Sequence, residues 1–289
     1  MENAKMILQQ ILVMFLYMAL GFVLYKTKMI SKEGSKSFSN FLIYAILPCM
    51  IVDSFCIQRT AEKTSALLLA AAAGAASLAI SAVIGALVFR KRPLDNFAAT
   101  FSNAGFMGIP IITAVLGLEG AFYIAPLIAF LNCLQYTYGQ ALLAGTKDAM
   151  RPLAIVKSPL VIACVLGVVL YLTGVGDRIP RILEDTLSTL SGLTGPVAMV
   201  LLGVYIGEMD LKTMATDLRA WLVSGVRLLL IPVVTLFAFL LIPDHDIALA
   251  VMIASAAPVG ANAAIYAQKL DCDYVYACRT VCQLSLIHI

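Results

Sequence analysis

Phe101-Ser102-Asn103-Ala104-Gly105-Phe106-Met107-Gly108-Ile109-Pro110 is an apolar stretch with an asparagine, two glycines and a proline set into it. A second stretch, Ala254-Ser255-Ala256-Ala257-Pro258-Val259-Gly260-Ala261-Asn262, carries the same three residue types. Proline has no amide hydrogen and its ring clashes with the preceding helical turn. Glycine permits the irregular backbone that follows. Both stretches sit inside long apolar segments, so each predicts an interrupted helix rather than a gentle kink.

The surroundings of these stretches set the fold class. The chain has 289 residues, 61% of them hydrophobic and only 13% charged, with a mean hydropathy of +0.94. A soluble domain carries roughly 25% charge. Ten apolar segments follow one another, at 6–25, 38–55, 64–89, 96–118, 121–145, 153–173, 183–206, 221–242, 247–270 and from 274 to the end. They are numbered here as spans 1–10. Hydrocarbon satisfies no backbone hydrogen bond, so a spanning segment is a helix or a strand of a closed barrel. These segments are too long and too uniformly apolar for barrel strands. An all-α membrane protein with ten transmembrane helices is expected. Span 1 is too long for the core of a signal peptide.

Composition also excludes several functions. The net charge of +3 is no nucleic-acid signal, because the basic residues sit in short loops between spans. None of the seven cysteines forms a Cys-x-x-Cys pair, and most lie in apolar segments, where cysteine acts as a small hydrophobe. No disulfide framework and no metal site is expected. The sequence has no zinc-protease, serine-elbow or phosphate-loop motif, so it reads as neither an enzyme nor a cofactor protein. Transport by such a chain is driven by a gradient or by exchange.

Loops after odd-numbered spans hold thirteen lysines and arginines, Lys147, Arg151 and Lys212 among them, against five on the opposite side. By the positive-inside rule the odd loops are cytoplasmic, the N-terminus is outside, and the protein sits in the inner (plasma) membrane as a multi-pass chain.

The two halves repeat. Gly21-Phe22-Val23-Leu24-Tyr25-Lys26-Thr27 and Gly167-Val168-Val169-Leu170-Tyr171-Leu172-Thr173 agree at five of seven positions, 146 residues apart. Pro48 and Pro196 are 148 apart, and Gly108 and Gly260 are 152 apart. Residues 1–145 and 146–289 therefore read as two five-helix repeats. Five is odd, so the second copy is inverted in the membrane, as in many secondary transporters. An offset of 152 from Gly145 carries the last helix to about residue 297, whereas the chain ends at Ile289, so span 10 is expected to be truncated. The closing Leu284-Ser285-Leu286-Ile287-His288-Ile289 also resembles translated sequencing-adapter read-through, so no function is read into His288.

Interruption frees backbone groups that lipid cannot satisfy, so the breaks must line an enclosed cavity. Each restart is a helix N-terminus with free amide donors and about half a positive charge. Two of them brought together near the midplane favour a carboxylate over a cation. The expected binding residues are Asn103, Gly105, Gly108 and Pro110 in span 4, and Pro258, Gly260 and Asn262 in span 9. Asn132 and Gln135 share a face of span 5, and Gln135 either lines the cavity or bonds another helix. Arg227, two turns inside span 8, is a possible charge partner that balances an anion, pairs with a carboxylate or snorkels to the interface. Arg279 has the same choices. Asp53 is expected to reach water at the outer end of span 2, and Tyr266 to pack among aromatics or meet the substrate.

The motif Asn103-Ala104-Gly105-Phe106-Met107-Gly108-Ile109-Pro110 resembles the fourth-helix signature of the auxin efflux carrier family, which includes plant auxin exporters and bacterial malonate and malate permeases. Ala256-Ala257-Pro258-Val259-Gly260-Ala261-Asn262 resembles its ninth-helix counterpart, and Leu47-Pro48 and Gly195-Pro196 its second- and seventh-helix prolines. The resemblance implies a scaffold of helices 1, 2, 6 and 7 and a mobile transport unit of helices 3–5 and 8–10. It also implies an anion bound where the broken helices 4 and 9 cross, and an elevator motion. The expected function is a secondary transporter of a small mono- or dicarboxylate. The competing reading is a gated anion channel or membrane sensor built on the same cavity. The expected partners are the organic anion and the lipid bilayer, with a homodimer through the scaffold helices.

Overall fold

Prolines shape the helices of this chain, seen here in a computed structural model that describes residues 2–146, 153, 156–208, 217–260 and 262–288. Lys147, Arg151 and Lys212, counted above for orientation, and Ala261 of the second interrupted stretch lie outside the described residues. Three π-helical turns, Leu42–Ile46, Ala104–Gly108 and Val226–Leu230, each end two residues before a proline: Pro48, Pro110 and Pro232. A proline ring clashes with the carbonyl four residues earlier, and a locally widened turn moves that carbonyl aside.

In chain order the α-helices are α1 (Glu2–Lys26), α2 (Lys32–Phe41), α3 (Leu47–Phe55), α4 (Ala61–Val88), α5 (Pro93–Thr100), α6 (Ile109–Leu134), α7 (Gln140–Ala144), α8 (Pro159–Thr173), α9 (Arg181–Gly192), α10 (Thr194–Glu208), α11 (Leu218–Gly225), α12 (Ile231–Phe239), α13 (His245–Ala256), α14 (Asn262–Lys269) and α15 (Tyr274–His288). No strand occurs among the described residues apart from one isolated bridge between Ser102 and Val259. Loop side chains start several helices. Ser31, Thr60, Asp217 and Asp244 accept from the backbone amides of Gly34, Lys63, Ala220 and Ile247, filling donors that a helix start leaves open.

Among the described residues five helical runs are long and apolar enough to cross a membrane: Glu33–Phe55, Ala61–Val88, Ile109–Ala144, Arg181–Glu208 and Leu218–Phe239. The shortest of them has 22 residues, about 33 Å at 1.5 Å per residue, which matches a bilayer core. Leu12–Lys26, Pro159–Thr173 and His245–Ala256 are shorter apolar helices. Leu16, Leu68, Leu87 and Leu229 each leave about 70% of their surface uncovered, so the outer face of the bundle carries large apolar side chains. Lipid suits such a face and water does not. The protein is therefore an all-helical membrane protein.

Several boundaries differ from the sequence reading. The helical run Ile109–Leu134 turns at Gly117, whose φ of 65° and ψ of −159° are closed to ordinary side chains; after the turn Gly120 packs back on Ile112. The interruption in span 4 opens at Phe101, the first residue of the stretch quoted above, and Pro110 sits in the first turn of α6. Span 7 bends at Leu193, a single turn residue with near-helical angles between α9 and α10, and Pro196 follows in the new first turn.

Two close helix pairs join the halves of the chain. Along α1 and α10, a Cβ on Gly21 would fall 2.0 Å from the Val200 carbonyl oxygen, and one on Gly203 would fall 2.0 Å from that of Met18. Gly207, four residues beyond Gly203, lies against the Tyr25 ring, giving the small-residue spacing that lets membrane helices touch backbone to backbone. Along α3 and α8, Gly167 seats Phe55, whose ring stacks edge-on with Phe122 at 5.1 Å.

Candidate functional site

α5 and α13 stop at Thr100 and Ala256, and both chains then run extended before restarting as helix. The two extended pieces meet. Ser102 and Val259 pair antiparallel, and the Asn103 amide donates to the Pro258 carbonyl at 2.6 Å. One turn on, the Asn103 carbonyl accepts from the amides of Met107 and Gly108, each at 3.1 Å, and so opens the π turn that leads into α6. On the other strand the Gly260 carbonyl accepts from Ala263 at 3.1 Å as α14 begins. The interrupted helices thus cross at their breaks, and each break satisfies backbone groups of the other.

A cavity of about 50 Å³ lies beside the crossing. Ser102, Asn103, Gly105, Gly260 and Asn262 line it from the breaks, and Asn132 and Gln135 from the far end of α6 and the π turn Gln135–Gly139. Ile128, Leu131 and Leu160 close the apolar side. Across it the Asn262 side-chain amide donates to the Gln135 amide oxygen at 2.8 Å, while the Asn132 amide donates to the Ile128 carbonyl at 2.8 Å. The lining offers amides, a hydroxyl and backbone, and no carboxylate. A volume of this size is on the order of one or two waters, so a larger guest needs its walls to part.

Of the residues singled out by sequence, the structure gathers Asn103, Gly105, Gln135, Gly260 and Asn262 around this cavity. Pro258 stands at the crossing through its carbonyl. Gly108 and Pro110 are not at the cavity. Gly108 packs on the backbone of Ala254, and Pro110 lines a second, larger cavity on the other side of the same turn. Tyr266 is buried edge-on against Phe97 and Tyr136, at 5.9 and 6.0 Å, an aromatic packing role.

Arg227 is fully buried, so it does not snorkel. Its guanidinium donates to the Ala257 carbonyl at 3.0 Å, to the Ala99 carbonyl at 3.0 Å and to the Ser255 carbonyl. These oxygens belong to the closing turns of α5 and α13, where carbonyls lack amide partners and the helix dipole is negative. Arg227 therefore holds the first halves of both interrupted helices together from behind the crossing. Their second halves restart beside the cavity, through the π turn that holds Gly105 and through Asn262 at the head of α14.

Sequence reasoning missed a charged cluster at the base of α5. Asp95, fully buried, accepts from Arg219 Nε at 2.8 Å and from the Tyr276 hydroxyl at 2.8 Å. The Arg219 guanidinium stacks 4.1 Å over the Tyr276 ring, and Arg279 pairs with Asp217 at 3.0 Å. Asp95 follows a run of basic residues and opens a helix, which reads as an ordinary first-turn carboxylate. Its partners stand 124 and 181 positions away, beyond any local signal.

A family profile described as membrane transport protein matches residues 6–153 and 148–282. The chain belongs to that family, the auxin efflux carriers whose helix signatures it carries. It is similar to a protein of Methanothermobacter thermautotrophicus named "Uncharacterized transporter", 25% identical over 284 residues, covering 93% of this chain and 91% of that one. It is also similar to a Rhizobium meliloti protein named "Putative malonate transporter", 22% identical over 269 residues, covering 87% of this chain and 82% of that one.

Proposed function

We propose that this protein is a secondary carrier that moves a small mono- or dicarboxylate across the inner membrane. The observation that carries the reading is the crossing itself. The Asn103–Pro258 hydrogen bond joins the two breaks beside one cavity, lined by the amide side chains of Asn103, Asn132, Gln135 and Asn262 and by no Asp or Glu. Two helix restarts add backbone donors and partial positive charge. An arriving carboxylate takes the place of the Gln135 oxygen on the Asn262 amide, exchanging a neutral acceptor for a charged and stronger one. The relative named for malonate supports a carboxylate as the substrate class.

In this reading ten spans form two inverted repeats, 1–145 and 146–289, with the N-terminus outside. Helices 1, 2, 6 and 7 are the scaffold, which also carries a homodimer contact. The close α1–α10 and α3–α8 pairs support that grouping, because each joins a span of the first repeat to one of the second. Helices 3–5 and 8–10 move as the elevator, with Arg227 tying their two interrupted members into one body.

Counterflow in proteoliposomes tests the proposal. Vesicles preloaded with unlabelled malonate should accumulate external labelled malonate, and uptake should saturate. Flux that rises linearly and shows no exchange would establish the channel reading and end the carrier one.

A further inference from the structure

The larger cavity, about 370 Å³, lies where α6 meets α3, α9 and α10. Asp53 lines it and is buried, with 6% of its surface exposed. The sequence placed this carboxyl in reach of water. The structure instead closes it in beside Met50, with a hydrogen bond to Ser191 and one carboxylate oxygen, Oδ2, that has no partner. The Thr194 hydroxyl, 3% exposed and lining the same cavity, also has no partner. A third oxygen follows from the covalent structure. Pro196 has no amide hydrogen, so the Gly192 carbonyl, at the same cavity, lacks its usual helical donor. A buried anionic oxygen without a partner is expensive, and so is a buried hydroxyl without one. A small cation held in the cavity they both line offsets both penalties.

We propose that Asp53, Thr194 and the Gly192 carbonyl bind one small monovalent cation, a sodium ion or a proton. The donor set is carboxylate, hydroxyl and carbonyl oxygen, which suits a hard cation, and the single carboxylate balances a single charge. Pro110 and Ile109 line this cavity while Gly105 lines the one at the crossing. The two sites therefore share the short run 105–110, with about 8 Å of helical rise between them. If the carrier reading holds, the cation travels with the anion and supplies the driving gradient. Binding of the cation does not depend on that reading. The charged or ionisable groups that act on Asp53 are Glu184 on α9 and the thiols of Cys49 and Cys56. α6 and α10 present no titratable side chain to the cavity.

The test is thermal unfolding of the purified full chain, without substrate. One arm replaces choline chloride by sodium chloride at constant ionic strength and pH 8; the other lowers pH from 8 to 5 in choline. The wild type should gain several degrees in Tm, saturably, in one arm. Asp53→Asn should lose that response, Thr194→Val should weaken the apparent affinity at least tenfold, and Glu184→Gln should keep it. The responding arm identifies the ion. A wild type indifferent to both, or an Asp53→Asn protein that responds as the wild type does, overturns the proposal. If Asp53→Asn yields no folded protein, an unchanged response in Thr194→Val overturns it equally. Transport assays are not involved, so a failed carrier reading and a failed cation site give different results.

Discussion

The amide of Asn103 and the carbonyl of Pro258 stand 2.6 Å apart, the point at which two interrupted helices hold each other open. Neither break survives alone in hydrocarbon, because each leaves groups that only the other satisfies. The cavity beside them is consequently a product of both halves of the chain.

Asn262→Ala removes the donor that spans this cavity to Gln135. A hydrogen bond to a charged group is worth about 1.5–3 kcal/mol against about 1 for the neutral bond it replaces, so malonate affinity should fall roughly 2- to 30-fold. The neutral bond lost from the empty protein is worth only about 1 kcal/mol, and Tm should change little. Titration of malonate followed by thermal shift reads both quantities.

Arg227→Met strips the partner from the carbonyls of Ala99, Ser255 and Ala257 together. Each buried carbonyl left unpaired costs about 1–3 kcal/mol, so the crossing should come apart. Gel filtration after detergent extraction should show aggregated protein. Arg227→Lys, with three donors on one nitrogen, should be folded with an intermediate Tm. A wild-type Tm in Arg227→Met would remove this residue from the account.

Gly203→Ala tests the α1–α10 contact. The added carbon falls on the Met18 carbonyl, and forcing the helices apart costs about 1–3 kcal/mol. Gly225→Ala, at the end of α11, meets no atom within 4 Å and should leave Tm unchanged or slightly raised. Parallel melts of the two variants check the contrast.

Asp95→Asn keeps an acceptor for Tyr276 but leaves Arg219 without its carboxylate. Arg219 is 40% exposed on its side chain, so water recovers part of the loss, and about 1–3 kcal/mol of destabilisation is expected. Because the Asp95 side is buried, the gap between variant and wild type should persist in high salt.

How much of this was legible in the sequence follows from the range of each signal. Apolar runs announce membrane helices locally, and Pro258 with Gly260 marks a break at the place where it occurs. Pro110 was expected among the binding residues, but it sits in the first turn of α6, where a proline is comfortable, and lines the other cavity. Gln135 and Asn262 are legible as polar residues in apolar spans, but their mutual bond is not, since 127 positions separate them. Arg227 read as a charge that balances an anion, pairs with a carboxylate or snorkels to the interface. Its partners are backbone carbonyls, which no side-chain pattern encodes. Asp53 was expected in water from its place near a span end, yet α9 folds over it.

The most direct test of the central claim is malonate binding to Gln135→Glu. The exchange is nearly isosteric and keeps an acceptor for the Asn262 amide, while it adds a negative charge to the cavity wall. At roughly 4–5 Å and an effective dielectric of about 20, that charge repels a carboxylate by about 3–4 kcal/mol. Binding should weaken at least 100-fold in the folded variant, whose Tm is lower because the added charge is buried. An affinity for malonate equal to that of the wild type would contradict an anion site at this crossing.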